Sequence, residues 1–295
     1  MRLVTFIADG RERVGVLEGE HVVDPREARA LQLLSEGSAA EEAAQRASDE
    51  VPDTMIGFIE GGKEAKAIAG EAVEFAVEHG GLGRAAYPLA DIKLRAPIPR
   101  PPMILNMGNA YRPYGIAGFS LKPVTGVVGP DEPIVIPREI TDFGACYECE
   151  IGVVIGREGR RIPNDESAYG YVFGYTVYND VTDYGKQMGG LFGSKLHDTF
   201  CPMGPCIVTG DELGDPHSLT KRAWINGQPA TERSTREMLH RVHEFVSIPS
   251  QTLTLQPGAV ISTGAPDVGR IKPGDTLELE ITGIGRLRNP VIAEE

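Results

Sequence analysis

The stretch that decides the fold is CYECEIGVVI, at residues 146–155. Its last five residues form a short apolar run that is typical of a buried strand. Side chains two positions apart lie on one face of a strand, so Glu148 and Glu150 are predicted to project side by side. Neighbouring carboxylates beside a core repel each other and lose hydration, and a hard cation with oxygen ligands relieves both penalties. The alternative is an edge strand whose two glutamates face solvent.

A third carboxylate follows in the stretch GYTVYNDVT, at residues 174–182. This β-branched run ends in Asn179 and Asp180, which places an acidic side chain at a strand terminus. Three carboxylates that leave other positions to water and substrate are a common way to hold Mg²⁺ or Mn²⁺ for catalysis. By spacing alone, an aspartate after a strand is more typical of a turn. The pattern therefore suggests a metal site without establishing one.

The sequence around these stretches predicts an α+β fold that is predominantly β. Beyond residue 100, short β-branched runs are punctuated by glycine and proline, and no βαβ alternation is visible. One helix is predicted after the capping box of Ser234 and Glu237, because apolar residues recur at helical spacing from Met238 to Val246. The predicted strands are residues 134–136, 151–155, 171–178, 206–209, 259–263 and 276–281.

The N-terminal part of the chain has a different character. Its first 25 residues predict a hairpin in which Asp9 and Gly10 form the turn. Residues 37–62 hold only a weak helical pattern, and residues 63–79 predict a helix that Gly80 and Gly81 end. The stretch KLRAPIPRPP, at residues 93–102, contains four prolines and can continue neither a helix nor a central strand. These shifts predict a small N-terminal domain at residues 1–95 and a metal-binding catalytic domain at residues 96–295.

Composition excludes several classes of function. The formal net charge of −13 argues against a nucleic-acid surface, which needs an excess of lysine and arginine. No apolar run approaches the roughly 20 residues of a membrane helix, and the N-terminal residues do not resemble a signal peptide, so a cytoplasmic protein is expected.

The chain has four cysteines, Cys146, Cys149, Cys201 and Cys206. Their spacing permits a zinc site or a redox pair, but their apolar, strand-like context favours buried free thiols.

From residue 104 to residue 290 the chain resembles the fumarylacetoacetate hydrolase family, including its 2-hydroxyhepta-2,4-diene-1,7-dioate isomerases and acylpyruvate hydrolases. The leading segments MRLVTF, RVGVLEG and VVDP also resemble the small first domain of many members. The main segments that carry the resemblance are YECEIGVVIG (147–156), GYTVYNDVT (174–182), KLHDTFCPMGP (195–205), WINGQ (224–228), TGAP (263–266) and KPGDT (272–276).

This resemblance implies a mixed β-roll, usually dimeric, that binds Mg²⁺ or Mn²⁺ through Glu148, Glu150 and Asp180. The family cleaves, decarboxylates, hydrates or isomerises 2-oxo acids and 1,3-dicarbonyl compounds, with the cation stabilising an enolate. Lys195 is implied to supply a second positive charge or a proton, the alternative being a solvated loop charge. Thr263 and Gly264 are implied to bind a substrate oxygen, the alternative being a simple turn.

Two departures from the family pattern bear on the reaction. The segment ILNMGNAYR, at residues 104–112, resembles a family segment in which a histidine follows three residues after the tyrosine, and here that position is Tyr114. A tyrosine with a pKa of about 10 is a poor general base at neutral pH. The family also has Ala-Arg-Asp after the threonine that corresponds to Thr182, where this chain has Asp183, Tyr184 and Gly185. The two tyrosines suggest a bulkier, more aromatic or less charged substrate.

The remaining candidate residues follow from the same alignment. His197 is the first candidate to replace the missing base, although a loop histidine is more often a surface group. The predicted substrate contacts are Tyr111, Arg112, Tyr184, Gln187, Thr263 and Gly264, and the predicted catalytic residues are Lys195, His197 and Tyr114.

Three functions remain open on sequence grounds. Hydrolytic C–C cleavage of a 1,3-dicarbonyl or 2-oxo-acid substrate is the leading interpretation. Isomerisation, decarboxylation, hydration, dehydration or cyclisation at the same metal site would fit the absent histidine. The third is a catalytically inactive protein that binds a metal, a ligand or a partner. A small-molecule substrate and a homodimer are expected, with no nucleic-acid or membrane partner.

Overall fold

The structure is a computed structural model, and it describes residues 1–79, 82–113, 115–116, 119–140, 144–185 and 193–295. Tyr114 and Gln187, two of the predicted site residues, lie outside these ranges. Among the described helices, none is both long and apolar enough to cross a membrane.

The described α-helices are α1 (Pro25–Ser35), α2 (Ala40–Glu50), α3 (Met55–Glu60), α4 (Gly62–Glu78), α5 (Leu82–Ala85), α6 (Gly210–Leu213) and α7 (Val242–Ser250). Short 3₁₀ helices cover Leu89–Asp91, Val124–Gly126, Glu166–Tyr171, Gly193–Lys195 and Thr235–Glu237.

The first ten strands are β1 (Arg2–Ala8), β2 (Arg11–Glu18), β3 (His21–Val23), β4 (Ala86–Pro88), β5 (Lys93–Leu94), β6 (Ile104–Met107), β7 (Phe119–Leu121), β8 (Val127–Val128), β9 (Ile134–Ile136) and β10 (Ala145–Tyr147). The others are β11 (Cys149–Ile155), β12 (Val172–Asn179), β13 (Thr182–Asp183), β14 (Cys201–Thr209), β15 (Thr220–Ile225), β16 (Gln228–Ser234), β17 (Val260–Ser262), β18 (Gly269–Arg270), β19 (Thr276–Ile281) and β20 (Gly285–Ala293).

Three sheets form the body of the described fold. The largest follows the order β4-β3-β2-β1-β14-β12-β11-β17-β6-β7, with β5 on β1 and β8 on β14. A second sheet has the order β16-β15-β19-β20-β9, and a small third sheet has the order β13-β10-β18. The predominantly β fold is therefore confirmed. Since every residue of β11 is buried, this strand lies inside the molecule, as its apolar run predicts.

The strands predicted at residues 134–136 and 276–281 are confirmed at those bounds, and the other four coincide with β11, β12, β14 and β17. The predicted N-terminal hairpin is confirmed as β1 and β2. Its turn residues Asp9 and Gly10 both have positive φ, at 50° and 72°, which a two-residue hairpin turn of type I′ requires. The helix predicted at residues 63–79 is confirmed as α4. All four cysteines are buried and free, again as predicted.

The helix predicted to follow the capping box begins later than expected. Ser234 and Glu237 do form a capping box, but it encloses a single 3₁₀ turn, and α7 starts only at Val242. The intervening amides of Leu239 and His240 donate to the carbonyl of Ala110, at 2.7 and 3.2 Å. This long-range pairing takes the amides that a helix starting at residue 235 would need for its own second turn.

The N-terminal hairpin joins the sheet that carries the acidic motifs. Leu3 in β1 pairs with Ile207 in β14, and β14 in turn pairs with β12. Helices α3 and α4 pack on the outer side of this sheet, in an apolar cluster that includes Phe58, Ala69 and Ile207. The division into domains at residues 95 and 96 stays a prediction, and the strand pairing is continuous across it.

Candidate active site

Three carboxylates meet at the ends of β11 and β12. Glu148 lies between β10 and β11, Glu150 lies within β11, and Asp180 follows β12 directly. One ligand atom from each carboxylate lies within 4.8 Å of the other two, and all three residues are buried. The backbone fixes this arrangement, because the amide of Asp180 donates to the carbonyl of Glu148 at 3.1 Å and the Glu148 amide donates to Oδ1 of Asn179 at 3.1 Å.

Burial makes this arrangement electrostatically unfavourable for the two glutamates. Loss of hydration raises the pKa of Glu150 well above its usual value, and the charges of Asp180 and Glu148 raise it further. Burial and the charge of Asp180 likewise raise the pKa of Glu148. Burial alone would also raise the pKa of Asp180, but the Lys122 and Lys195 ammonium groups outweigh it and hold that pKa below its usual value.

Two lysines approach the carboxylates from different elements. Nζ of Lys122, after β7, donates to Oδ1 of Asp180 at 2.7 Å and to the Val181 carbonyl at 3.1 Å. Nζ of Lys195 donates to Oδ2 of Asp180, to the Thr182 hydroxyl at 2.8 Å and to Oε1 of Glu148 at 3.5 Å. Three carboxylates against two ammonium groups leave one negative charge in excess. Buried, oxygen-rich and net negative, the cluster fits a divalent cation.

The carboxylates form one end of a cleft of about 620 Å³. Its described lining combines charged, small and apolar side chains: Asn106, Met107, Gly108, Asn109, Arg112, Phe119, Ser120, Glu148, Glu150, Asp180, Tyr184, Lys195, Gly264, Ala265, Pro266 and Val268. Of the predicted site residues, the structure therefore brings together the three carboxylates, Lys195, Arg112, Tyr184 and Gly264.

Other predicted residues lie behind or beside the cleft. Tyr111 is outside the described lining, its hydroxyl is buried without a described partner, and its ring centroid lies 4.4 Å from Nζ of Lys221. His197 packs its ring against Phe200, with 4.8 Å between centroids, and is also outside the described lining. The Thr263 hydroxyl is buried and donates to the carbonyl of Ile151 at 3.3 Å. Their predicted roles stay predictions.

Tyr184 contacts the carboxylate cluster from the cleft side. Its hydroxyl donates to Oε1 of Glu148 at 2.8 Å, while 42 % of the residue remains exposed. Burial of the hydroxyl and the charge of Glu148 raise the pKa of Tyr184. Tyr184 therefore keeps its proton at neutral pH and acts as a donor to Glu148 rather than as a base.

Lys122 is the site residue that sequence reasoning missed. Its side chain is fully buried and contacts Asp180, which is 58 positions away along the chain. Lys122 follows the short segment FSL, at residues 119–121, and its position in the sequence has no regular spacing from the acidic motifs. The only sequence signal was a charge placed directly after a strand-like run.

Gly264 connects the carboxylate cluster with the opposite wall of the cleft. Its amide donates to Oε2 of Glu150 at 2.7 Å, and its φ is +84°. A Cβ at this position would lie 3.2 Å from the amide nitrogen of Asn109 and 3.3 Å from Cα of Gly108. Only glycine satisfies this backbone conformation and this close approach without strain.

Replacing Gly264 with alanine is therefore expected to lower the free energy of unfolding by about 1–3 kcal/mol and to weaken Mn²⁺ binding. Urea unfolding and a Mn²⁺ titration would measure the two effects. Gly274→Ala is the matched control, because Gly274 has a φ of +95° but nothing within 4 Å of the added Cβ. Equal Mn²⁺ affinity in both variants would contradict the role of the Gly264 amide.

Comparison with known proteins identifies relatives along nearly the whole chain. The family model described as fumarylacetoacetate (FAA) hydrolase C-terminal matches residues 110–292. Oxaloacetate tautomerase YisK of Bacillus subtilis (strain 168) is 34 % identical over 265 residues, which cover 82 % of this chain and 87 % of that protein.

Solved structures extend the similarity to the complete fold. Maleylpyruvate hydrolase from Sphingobium sp. SYK-6, in complex with manganese(II) and pyruvate, is 30 % identical with a TM-score of 0.76, and all of both chains is covered. 2-Hydroxyhepta-2,4-diene-1,7-dioate isomerase from Mycobacterium marinum is 29 % identical with a TM-score of 0.76, covering 100 % of this chain and 99 % of that one.

Proposed function

Since the chain is an enzyme of the fumarylacetoacetate hydrolase family, we propose that it uses Mg²⁺ or Mn²⁺ to interconvert the enol and keto forms of a 2-oxo acid. Relatives named as oxaloacetate tautomerases and a neighbour with manganese and pyruvate support the substrate class and the metal. We also propose that it is a homodimer, as the family resemblance implies, and that it is cytoplasmic, as the sequence analysis expects.

The proposed ligands are Glu148, Glu150 and Asp180, and their chemistry fits a hard divalent cation. Carboxylate oxygens are the ligands that Mg²⁺ and Mn²⁺ prefer, and the cluster carries one negative charge more than its two lysines balance. When bound, the cation would supply Lewis-acid stabilisation of the negative charge that develops on the 2-oxo oxygen.

Lys195 is proposed as the catalytic cation of the chain itself. Burial lowers the pKa of an ammonium group, but the charges of Asp180 and Glu148 outweigh it and raise the pKa of Lys195 above its usual value. Nζ therefore holds its proton at neutral pH and lies in the wall of the cleft. A fixed, partly desolvated ammonium group stabilises the negative charge on the substrate oxygen after the enol O–H proton passes to water and before water returns a proton to carbon. Tyr184 and Gly264 orient the carboxylates through their hydrogen bonds to Glu148 and Glu150.

Enol–keto interconversion is favoured over hydrolysis because no histidine lies in the described lining of the cleft. All six histidines of the chain fall within the described residues, and none lines the cleft. Hydrolysis of a C–C bond needs a base that activates water, and a histidine near neutral pKa is the usual one. Enol-to-keto conversion moves one proton from oxygen to carbon, which water can carry, and the oxyanion between the two steps is stabilised by N–H and O–H donors that the described cleft has.

Hydrolytic C–C cleavage, the reaction that the sequence favoured, is the second candidate. Its support is the similarity along the whole chain to maleylpyruvate hydrolase, with a TM-score of 0.76. In that case another base would have to replace the histidine, and His197, the first candidate on sequence grounds, lies outside the described lining of the cleft.

Two assays on Mn²⁺-loaded protein separate these candidates. We expect the protein to accelerate enol-to-keto conversion of oxaloacetate above the rate with the same Mn²⁺ concentration alone. With an acylpyruvate in ¹⁸O-labelled water, we expect no labelled carboxylate. Labelled product would establish hydrolysis instead, and no acceleration of oxaloacetate conversion at saturating Mn²⁺ would contradict the tautomerase proposal.

A further inference from the structure

The cleft has a second positive charge that the proposed chemistry does not use. Arg112 lines the cleft together with the three carboxylates, but unlike them it is exposed, which places it at the rim. Among the described residues, no carboxylate or carbonyl pairs with its guanidinium group. An unpaired guanidinium group facing a substrate cleft offers planar, bidentate recognition of a carboxylate.

Arg112 lies on a turn whose shape the backbone fixes. Asn109 opens the turn with a φ of 72°, in the left-handed region that asparagine tolerates better than most residues. The amide of Arg112 donates to the carbonyl of Asn109 at 3.0 Å, and Nδ2 of Asn109 donates to the carbonyl of Gly115 at 3.3 Å. These bonds hold the Cα of Arg112 in one place relative to the cleft.

The turn is also anchored from the side of the core. The carbonyl of Ala110 accepts from the amides of both Leu239 and His240, at 2.7 and 3.2 Å. Tyr111 points inward, where its ring contacts the ammonium group of Lys221. Arg112, the next residue, lies in the lining of the cleft, whereas Tyr111 does not.

Gly264 sets the separation between this turn and the carboxylate cluster. It donates to Glu150 on one side, and on the other its Cα faces Gly108 and Asn109 so closely that a Cβ would lie 3.2 Å from the Asn109 amide. Gly264 thus contacts both Glu150 and the turn that carries Arg112. Such a fixed span selects ligands by the distance between their two polar ends.

We propose that Arg112 binds the second carboxylate of a 2-oxo dicarboxylate, and so makes the enzyme selective for dicarboxylates over monocarboxylates. This inference rests on the proposed function, in which the 2-oxo end of the substrate would bind the cation held by Glu148, Glu150 and Asp180. A monocarboxylate would leave Arg112 unpaired, whereas a dicarboxylate pairs with it. Arg112 also restores a guanidinium group to a cleft that has Tyr184 where the family resemblance expects an arginine.

The test compares two ligands of equal length that differ in one end group, 2-oxoglutarate and 2-oxopentanoate. Isothermal titration of the Mn²⁺-loaded protein would measure both dissociation constants for the wild type and for Arg112→Ala. We expect Arg112→Ala to weaken 2-oxoglutarate binding by about 3- to 10-fold, the worth of a bidentate charge pair at an exposed rim, and to leave 2-oxopentanoate binding within about 1.5-fold. Arg112→Lys is expected to recover part of the loss.

Turnover of oxaloacetate gives a second readout. We expect Arg112→Ala to raise KM by a similar factor and to leave kcat nearly unchanged, because the second carboxylate keeps its charge throughout the reaction and is bound equally in the ground state and the transition state. Arg160→Ala is the matched control, since Arg160 is exposed, has no described partner and does not line the cleft. This substitution should leave the binding of both ligands and KM unchanged.

Each outcome decides the proposal. Equal weakening of both ligands by Arg112→Ala, or no weakening of either, would overturn the assignment of Arg112 to a second carboxylate. The binding comparison is independent of turnover, so it separates the two proposals. A wild type that prefers 2-oxoglutarate through Arg112 but converts no oxaloacetate would support this inference and contradict the tautomerase function.

Discussion

Replacing Asp180 with asparagine is expected to lower the free energy of unfolding by about 3 kcal/mol and to weaken Mn²⁺ binding by at least about 100-fold. Lys122 is fully buried, and among the described residues only the Asp180 carboxylate and the Val181 carbonyl pair with it. The substitution leaves that ammonium group without a counter-charge, which typically destabilises a protein by about 3–5 kcal/mol. We expect the lower end, because the repulsion of Asp180 with Glu148 and Glu150 disappears as well.

Chemical unfolding in the presence of a chelator would measure the first effect, and a Mn²⁺ titration the second. Asp211→Asn is the matched control, because Asp211 also pairs with a lysine, at 2.9 Å from Nζ of Lys66, but has 64 % of its side chain exposed. Exposed ion pairs contribute about 0–1 kcal/mol, so this control should unfold nearly as the wild type does. Equal destabilisation by both substitutions would contradict a special role for the buried pair.

Replacing Lys195 with methionine is expected to lower kcat by about 10²- to 10³-fold, the usual effect of removing one fixed group that stabilises an oxyanion. Mn²⁺ binding should be retained or tighten, because the three carboxylates then have one cation fewer among them. The combination distinguishes a catalytic lysine from one that merely holds the ligands in place. Steady-state kinetics at saturating Mn²⁺ and a Mn²⁺ titration would measure the two quantities.

Lys66→Met is the control for this experiment, since it removes an ammonium group from an exposed pair that does not line the cleft. It should alter neither kcat nor Mn²⁺ affinity. If Lys195→Met lost Mn²⁺ affinity in proportion to activity, Lys195 would be a structural residue and the proposed catalytic role would be wrong.

The part of the site that sequence could predict is the part built on a regular period. Glu148 and Glu150 are two residues apart at the start of a buried strand, so their common face follows from strand geometry. Asp180 needed more than geometry, because a carboxylate after a strand is commonly a turn residue. Its placement beside the glutamates depends on the pairing of Cys149 with Asn179 across 30 positions of chain, and only the family resemblance indicated it.

The part that could not be predicted depends on irregular backbone and on long-range contacts. Whether Tyr111 or Arg112 faces the cleft is decided by the positive φ of Asn109 and by the amides of Leu239 and His240, which no local pattern reveals. Lys122 reaches Asp180 from the position directly after a strand of only three residues. The fold shows the same limit, because Ser234 and Glu237 predicted a helix start correctly as a local motif but could not show that distant pairing delays the helix.

The antiparallel pairing of β11 with β12 has a consequence for assembly of the protein. A slip of one residue between these strands would turn Cys149 and Ile151 toward the cleft in place of Glu148 and Glu150. Such misaligned forms would lack a cation site altogether. A divalent cation would therefore bind only correctly aligned chains. Its binding would shift the equilibrium from misaligned toward correctly aligned chains, as any ligand of the native state does by mass action. Metal supply during synthesis would then influence how much protein folds correctly, as well as how active it is.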